Sequence, residues 1–289
     1  MIKQVAAWAS WVEKKRIMED KLKLAILDMN NDVPNQGMRC IREIVARYED
    51  ELHWDEFNVR AKNELPDDSY DLYISSGGPG SPLDGGEWKE RFFELIDGLW
   101  QHNLNSPEKK YMFFICHSFQ MACEHFELGT LAPRKSTSFG VYPVHHTEIG
   151  KTDPILADLP DPYHAVDSRD WQLIQPNLEV FKEHGAHILS LEKIRTHVEY
   201  ERAIMAVRFS EEFIGTQFHP EADPVGMKIH FEKQENRDKV IKNFGEEKYN
   251  NMMEHLDDPD KIALTYSTIL PTFIESSIQK INERQLLVI

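Results

Sequence analysis

The stretch YMFFICHSFQ, residues 111–120, decides the fold. Tyr111 to Ile115 form an apolar run suited to a strand buried on both faces, as in parallel sheets covered by helices. HSFQMACEHFE (117–127) reads as the helix that follows, so Cys116 stands at a strand-to-helix turn. A thiol there lies near a helix N-terminus, whose dipole favours the thiolate. The same turn aims backbone N–H groups outward, where they can hold an oxyanion. Taken alone, a cysteine after an apolar strand is more often an inert small hydrophobe of a core.

The flanking sequence repeats the alternation. LKLAILDM (22–29) reads as a buried strand, NNDVPNQG (30–37) as a turn, and MRCIREIVARYEDEL (38–52) as a helix with Ile41, Ile44, Val45 and Tyr48 on one face. EFNVR (56–60) is the next candidate strand. LPDDSYDLYISSGGPGSP (65–82) gives a strand running into a glycine-rich loop, and EWKERFFELIDGLW (87–100) another helix. Strand and helix in turn predict an α/β fold: a mostly parallel central sheet with helices on both faces.

Residues 139–217 hold short β-like runs, among them FGVYPVHHTEI, AHILSLE, RAIMAVRF and FIGTQF. Beyond Glu221, Asp223 and Pro224 suit the cap and first turn of a helix. From there the chain reads as helical and charged, broken near LDDPD. A last helix from about Asp260 carries Ile262, Tyr266, Ile269, Phe273, Ile278 and Ile281 roughly on one side, with Pro271 expected to kink it. The expected organisation is an N-terminal arm or helix over 1–20, a main domain over 21–230, and a helical C-terminal extension over 231–289 packed on it.

Composition narrows the function. In 289 residues, 49 acidic against 33 basic side chains give a formal charge of −16, which repels phosphate backbones and argues against nucleic acid. The three cysteines form no CxxC pair, and no histidines cluster at ligand spacing, so neither a metal nor a disulfide framework is expected and no cofactor is implied. No apolar run approaches the ~18 residues a membrane span needs. MIKQVAAWASWVEKK is too weakly apolar for a secretory signal. A cytoplasmic protein is the expectation.

Two further motifs carry chemistry. In GTQFHPEAD (215–223), His219 and Glu221 lie two apart, and an extended segment would point both to one side. His219 could then reach a nucleophile while Glu221 orients its ring; a surface turn before a helix reads as well. In YISSGGPGSP (73–82), glycines and prolines make a rigid loop with exposed N–H groups suited to an anion. It lacks the Lys-Ser/Thr ending of a phosphate loop.

An apolar strand with SGGPGS, then a strand with Cys and a Gln four residues on, then QFHPE about a hundred residues later, resembles the class I glutamine amidotransferases. Within them it is most similar to the amidotransferase domain of GMP synthase, over roughly residues 20–230. The resemblance implies a flavodoxin-like fold in which Cys116 attacks a glutamine side-chain amide, with His219 as base and then acid and Glu221 orienting it. It also implies an oxyanion hole from the N–H groups of Gly78 and His117, with Gln120 holding the substrate. Ser138, Phe139 and Gly140 would lie in the segment flanking the substrate pocket. The family writes the elbow G-x-C-x-G-x-Q; here Phe114 and Ser118 stand at its glycines. Three readings stay open: a glutaminase that hands ammonia to a synthase partner, a stand-alone γ-glutamyl hydrolase or peptidase, and a non-catalytic module keeping the fold.

Overall fold

A computed structural model describes residues 21–194 and 201–287; the arm or helix expected over 1–20 lies outside the described residues. The chain opens with β1 (Leu22–Asp28), α1 (Gln36–Val45), β2 (Leu52–Asn58), the single turn α2 (Val59–Lys62) and β3 (Leu72–Ser75). There follow α3 (Glu87–Asn105), β4 (Tyr111–Ile115), α4 (His117–His125), β5 (Thr130–His146) and β6 (Tyr163–Ile174). Then come α5 (Leu178–His184), β7 (His187–Glu192), β8 (Ile204–Arg208) and β9 (Phe213–Thr216). All nine strands share one sheet in the order β2-β1-β3-β4-β9-β8-β7-β5-β6. Neighbours from β2 to β9 pair in parallel, and those from β9 to β6 antiparallel. The expected α/β sheet therefore has a parallel half and an antiparallel wing.

Alternation along β1 builds the two layers. Leu24 and Ile26 join a core with Ile41 and Ile44 of α1, whereas Ala25 and Leu27 join one with Phe92 and Ile96 of α3 and Phe119 of α4. Helices thus cover both faces, and all five residues of β4 in the middle are buried. The order reverses at β1, with β2 on one side and β3 on the other. In open α/β sheets the crevice beyond the strands' carboxyl ends at such a point is where ligands sit.

Sequence and structure part in four places. The helix expected over 38–52 ends at Val45, a 3-10 turn takes Ala46–Tyr48, and Leu52 already begins β2. EFNVR is not all strand: Asn58 ends β2 and its side chain accepts from the Ala61 N–H, capping α2, which takes Val59 and Arg60. β5 begins nine residues before FGVYPV, with irregular pairing between Pro133 and Ser138. β6 and α5 had no clear signal in the sequence. On β6 it is Asp167 and Arg169 that are buried and Ser168 and Asp170 exposed, which scrambles the apolar alternation.

Past β9 the chain forms α6 (Pro224–Glu232), α7 (Gln234–Phe244), α8 (Glu246–Asp257), a π-helical turn (Pro259–Ala263) and α9 (Leu264–Leu287). The Asp223 carboxylate accepts from the Val225 and Gly226 N–H groups, and Pro224 fills the first turn, as the sequence indicates. Ile269, Leu270, Phe273 and Ile274 of α9 lie in the same core as α1, with the Phe273 ring 5.3 Å from that of Phe113 on β4. Each such fully buried side chain contributes about 1.5–3 kcal/mol. α6 to α8 form a smaller cluster on Val141 of β5 and Val166 of β6, where Phe139 stacks on Phe244 at 4.5 Å.

Candidate active site

Cys116 follows β4 and caps α4 with φ +48° and ψ −97°, a backbone state that costs a non-glycine residue about 1–3 kcal/mol. Neighbouring bonds hold it there. The Cys116 N–H donates to Thr216 O at 2.8 Å, and the Ser118 hydroxyl accepts from the Ile115 N–H at 2.9 Å while donating to Ser75 O at 2.9 Å. Ser118 is therefore satisfied where the family writes glycine. Phe114 is accommodated by its neighbour in the sheet: it pairs with Gly215, where a Cβ would come within 3.0 Å of the Phe114 Cβ. Its ring then packs against Phe209 and Phe213.

His219 and Glu221 come together by a different route from the expected extended alternation. The His219 N–H bonds Val166 O at 2.8 Å, and the chain then turns, Ala222 N–H donating to His219 O at 3.3 Å. The turn carries Glu221 back until its Oε1 lies 2.7 Å from His219 Nδ1. Gly37 at the start of α1 lies against that carboxylate, since a Cβ there would come within 2.8 Å of Oε1. Burial alone would push the His219 imidazole down; the Glu221 carboxylate and the Cys116 sulfur hold it well above its ordinary value. Behind the ring stands Gly77, whose absent Cβ would lie 2.9 Å from His219 Cε1 and 3.4 Å from Cys116 Cβ.

A cavity of about 340 Å³ lies over this group, lined among others by Gly78, Cys116, His117, Gln120, Ser168 and His219. Of the residues singled out in the sequence, six thus converge: Cys116, His219, Gly78, His117 and Gln120 at the cavity, and Glu221 behind His219. Ser138, Phe139 and Gly140 do not line it. The Ser138 hydroxyl turns inward to Asp167 at 2.8 Å, Phe139 packs on Phe244, and Gly140 faces Lys248; from this part of β5 the cavity takes Thr137 instead.

Other participants had escaped notice. Gln217 is fully buried with Nε2 3.7 Å from the Cys116 sulfur. Its place two residues before His219 in QFHPE was the available signal. The Arg60 guanidinium donates to Met29 O at 3.2 Å and Pro79 O at 2.6 Å and lies over the Trp88 ring, fastening the glycine loop to the end of β1. Ser168 to Trp171 come from β6. Cys40, Cys116 and Cys123 are all free, and among the described residues no group of three or more His, Cys, Asp or Glu side chains could hold a metal ion. No helix among them is long and apolar enough to cross a membrane.

His117 gives a pH signature. Burial, helped by the positive charges of Arg60 and Lys89, lowers its imidazole from 6.5 to about 3. A histidine depressed on folding contributes stability above its ordinary value and loses it as pH falls toward the folded-state value. Between pH 7.5 and 5.0 this loss is about 2 kcal/mol. Urea unfolding should show His117→Leu losing less stability over that interval by about that amount, while the residue's backbone N–H stays in place.

The fold and this constellation define a class: α/β proteins with a cysteine at a strand-to-helix elbow facing a His–Glu pair. The chain belongs to the glutamine amidotransferase class-I family, which matches residues 26–237. Its structure is similar to that of a glutamine amidotransferase from Thermotoga maritima, with 15% identity, a TM-score of 0.66, and 90% of this chain and 99% of that one covered. A glutamine amidotransferase from Methylobacillus flagellatus aligns at 12% identity and TM-score 0.59, covering 92% and 94%. A GMP synthase-type protein from Thermoplasma acidophilum aligns at 17% and 0.51, covering 83% and 99%. No curated protein matches the chain.

Proposed function

We propose that the chain hydrolyses the side-chain amide of glutamine and releases ammonia for use by a synthase partner. Cys116 attacks the amide carbon, and the carbon–nitrogen bond breaks to leave a γ-glutamyl thioester. His219 takes the thiol proton and passes it to the departing ammonia; water, deprotonated by the same ring, then releases glutamate and restores the thiol. Glu221 holds the ring and its charged form, and the N–H groups of Gly78 and His117 face the oxyanion. Gln120 binds the substrate. The observation that carries this reading is the His219–Glu221 contact of 2.7 Å beside a cysteine held at positive φ under a substrate-sized cavity.

The test is to incubate the purified protein with glutamine and with γ-glutamyl dipeptides while following glutamate and ammonia, alongside Cys116→Ala. Glutamine hydrolysis that falls by roughly four orders of magnitude or more in the variant supports the reading. Preference for dipeptides would make it a γ-glutamyl hydrolase instead. Silence on every substrate, with no labelling of Cys116 by a glutamine-analogue electrophile, would leave a non-catalytic module. Labelling without turnover points to an absent activating partner.

A further inference from the structure

The sulfur of Cys116 has a neighbour that the catalytic scheme does not use. Gln217 continues β9 beside the elbow and is wholly buried, and its Nε2 is placed 3.7 Å from Sγ. Its Oε1 lies 2.9 Å from Gln120 Nε2, and that nitrogen is also 3.2 Å from the carbonyl oxygen of Trp171. Which end of each amide faces which way is settled by the last member of the chain. A backbone carbonyl only accepts, so the group Gln120 presents to Trp171 must be its NH2. That NH2 also faces Gln217, which must answer with oxygen, and this leaves the Gln217 NH2 directed at the sulfur. We propose that Gln217 is a positioning residue that keeps a hydrogen-bond donor on the Cys116 sulfur, its orientation dictated through Gln120 by the Trp171 carbonyl.

The donor matters because the rest of the immediate shell is divided. Ser168 O lies 3.8 Å from Sγ and accepts only, which favours the protonated thiol. His219, backed by Glu221, favours the thiolate. His117 on α4 and Arg169 and Asp170 on β6 are the other titratable or charged groups lining the same cavity. A buried amide donor adds charge-assisted stabilisation to the thiolate, and it does so before substrate arrives. The same polarity leaves the Gln120 Oε1 as the end of that side chain not engaged by Trp171 or Gln217. A substrate held by Gln120 would then be held through a donor group, such as an ammonium or amide N–H. This deepens the reading of Cys116 as nucleophile, yet it concerns the sulfur itself and can be read without turnover.

The experiment is the pH dependence of Cys116 alkylation by iodoacetamide, followed by peptide mass spectrometry on the full chain. Cys40 and Cys123 serve as internal references, since burial raises both thiols, Cys40 to about 11 and Cys123 well above its ordinary value. Gln217→Met, uncharged and similar in volume, should move the midpoint upward by about one pH unit, the worth of a hydrogen bond to a charged group. Gln217→Asn, whose amide is one methylene too short, should do the same and serves if the first variant fails to fold. Gln120→Glu can donate neither to Trp171 nor to Gln217, and should raise the midpoint further than Thr137→Glu, which adds the same charge to the cavity outside the chain of amides. An unchanged midpoint in a folded Gln217 variant overturns the donor. Equal shifts in Gln120→Glu and Thr137→Glu overturn the relay.

Discussion

Replacing Gly77 with alanine should lower the proposed glutamine turnover by about two orders of magnitude while leaving the protein folded. The added methyl would sit 2.9 Å from His219 Cε1, closer than such atoms come, and 3.4 Å from Cys116 Cβ. Cys116 is fixed by its strand and helix, so the imidazole is the group that yields. It is also the group that must stay, because its Nδ1 is engaged by Glu221 at 2.7 Å. For the base proposed in the hydrolysis, a displacement approaching an ångström costs about 10²-fold in rate. The φ of Gly77 lies outside the left-handed region, so alanine brings no backbone strain and the fold has no reason to suffer. Steady-state kinetics with glutamine, paired with thermal unfolding, check both halves. Full activity in Gly77→Ala would mean that the ring is not needed where it stands.

The second large effect concerns stability. Since the family writes glycine at position 114, Phe114→Gly looks like a repair; it should instead destabilise the chain, and Phe114→Ala by about 3–5 kcal/mol. Phe114 is fully buried, with its ring centroid 5.5 Å from that of Phe209 and 6.1 Å from that of Phe213. Glycine would add strand entropy of about 0.5–1 kcal/mol to the lost packing. The space that a family glycine would leave beside the elbow has been supplied by Gly215 across the sheet. Gly215→Ala should therefore be harmful in the native sequence, where its methyl would meet Phe119 Cδ2 at 2.9 Å and the Phe114 Cβ at 3.0 Å, and less so in Phe114→Gly, which removes the second contact; denaturant titration of the double variant measures this coupling.

The middle strands of the parallel half were legible because burial on both faces writes continuous apolar runs, as in LKLAILDM and YMFFI, whereas the edge strand β2, mostly part-exposed, was read four residues late. The antiparallel wing was only half legible. β6 turns Asp167 and Arg169 inward, where Arg169 Nε bonds Asp167 Oδ2 at 2.9 Å, so its interior reads as polar and its pattern cancels. The pairing of His219 with Glu221 could be guessed from HPE, although the turn that achieves it could not. Gln217 and Gly77 lay inside the motifs QFHPE and SGGPGS, but neither motif said what these two residues touch. A glutamine or a glycine gains its role only from what the tertiary fold sets beside it, here the sulfur and the imidazole. Ser138 to Gly140 illustrate the reverse: their place in the chain suggested the pocket, and the facing of the strand took them away from it.

The pairing of β4 with β9 has a consequence for how the molecule comes into being. Cys116 and Gln217 are 101 positions apart, and β9 sits between β4 and the antiparallel wing. Closing so long a loop is slow compared with forming a local strand–helix–strand unit. As the chain emerges, β1, β3 and β4 can assemble early, leaving one border of YMFFI with unanswered N–H and C=O groups until Phe213 to Thr216 is made. An open apolar border of that kind invites other extended chains. Cys116 and His219, the proposed nucleophile and base, would therefore meet in the same event that seals the nascent protein against self-association, and slowing that event should lower the yield of soluble chain and of reactive thiol together.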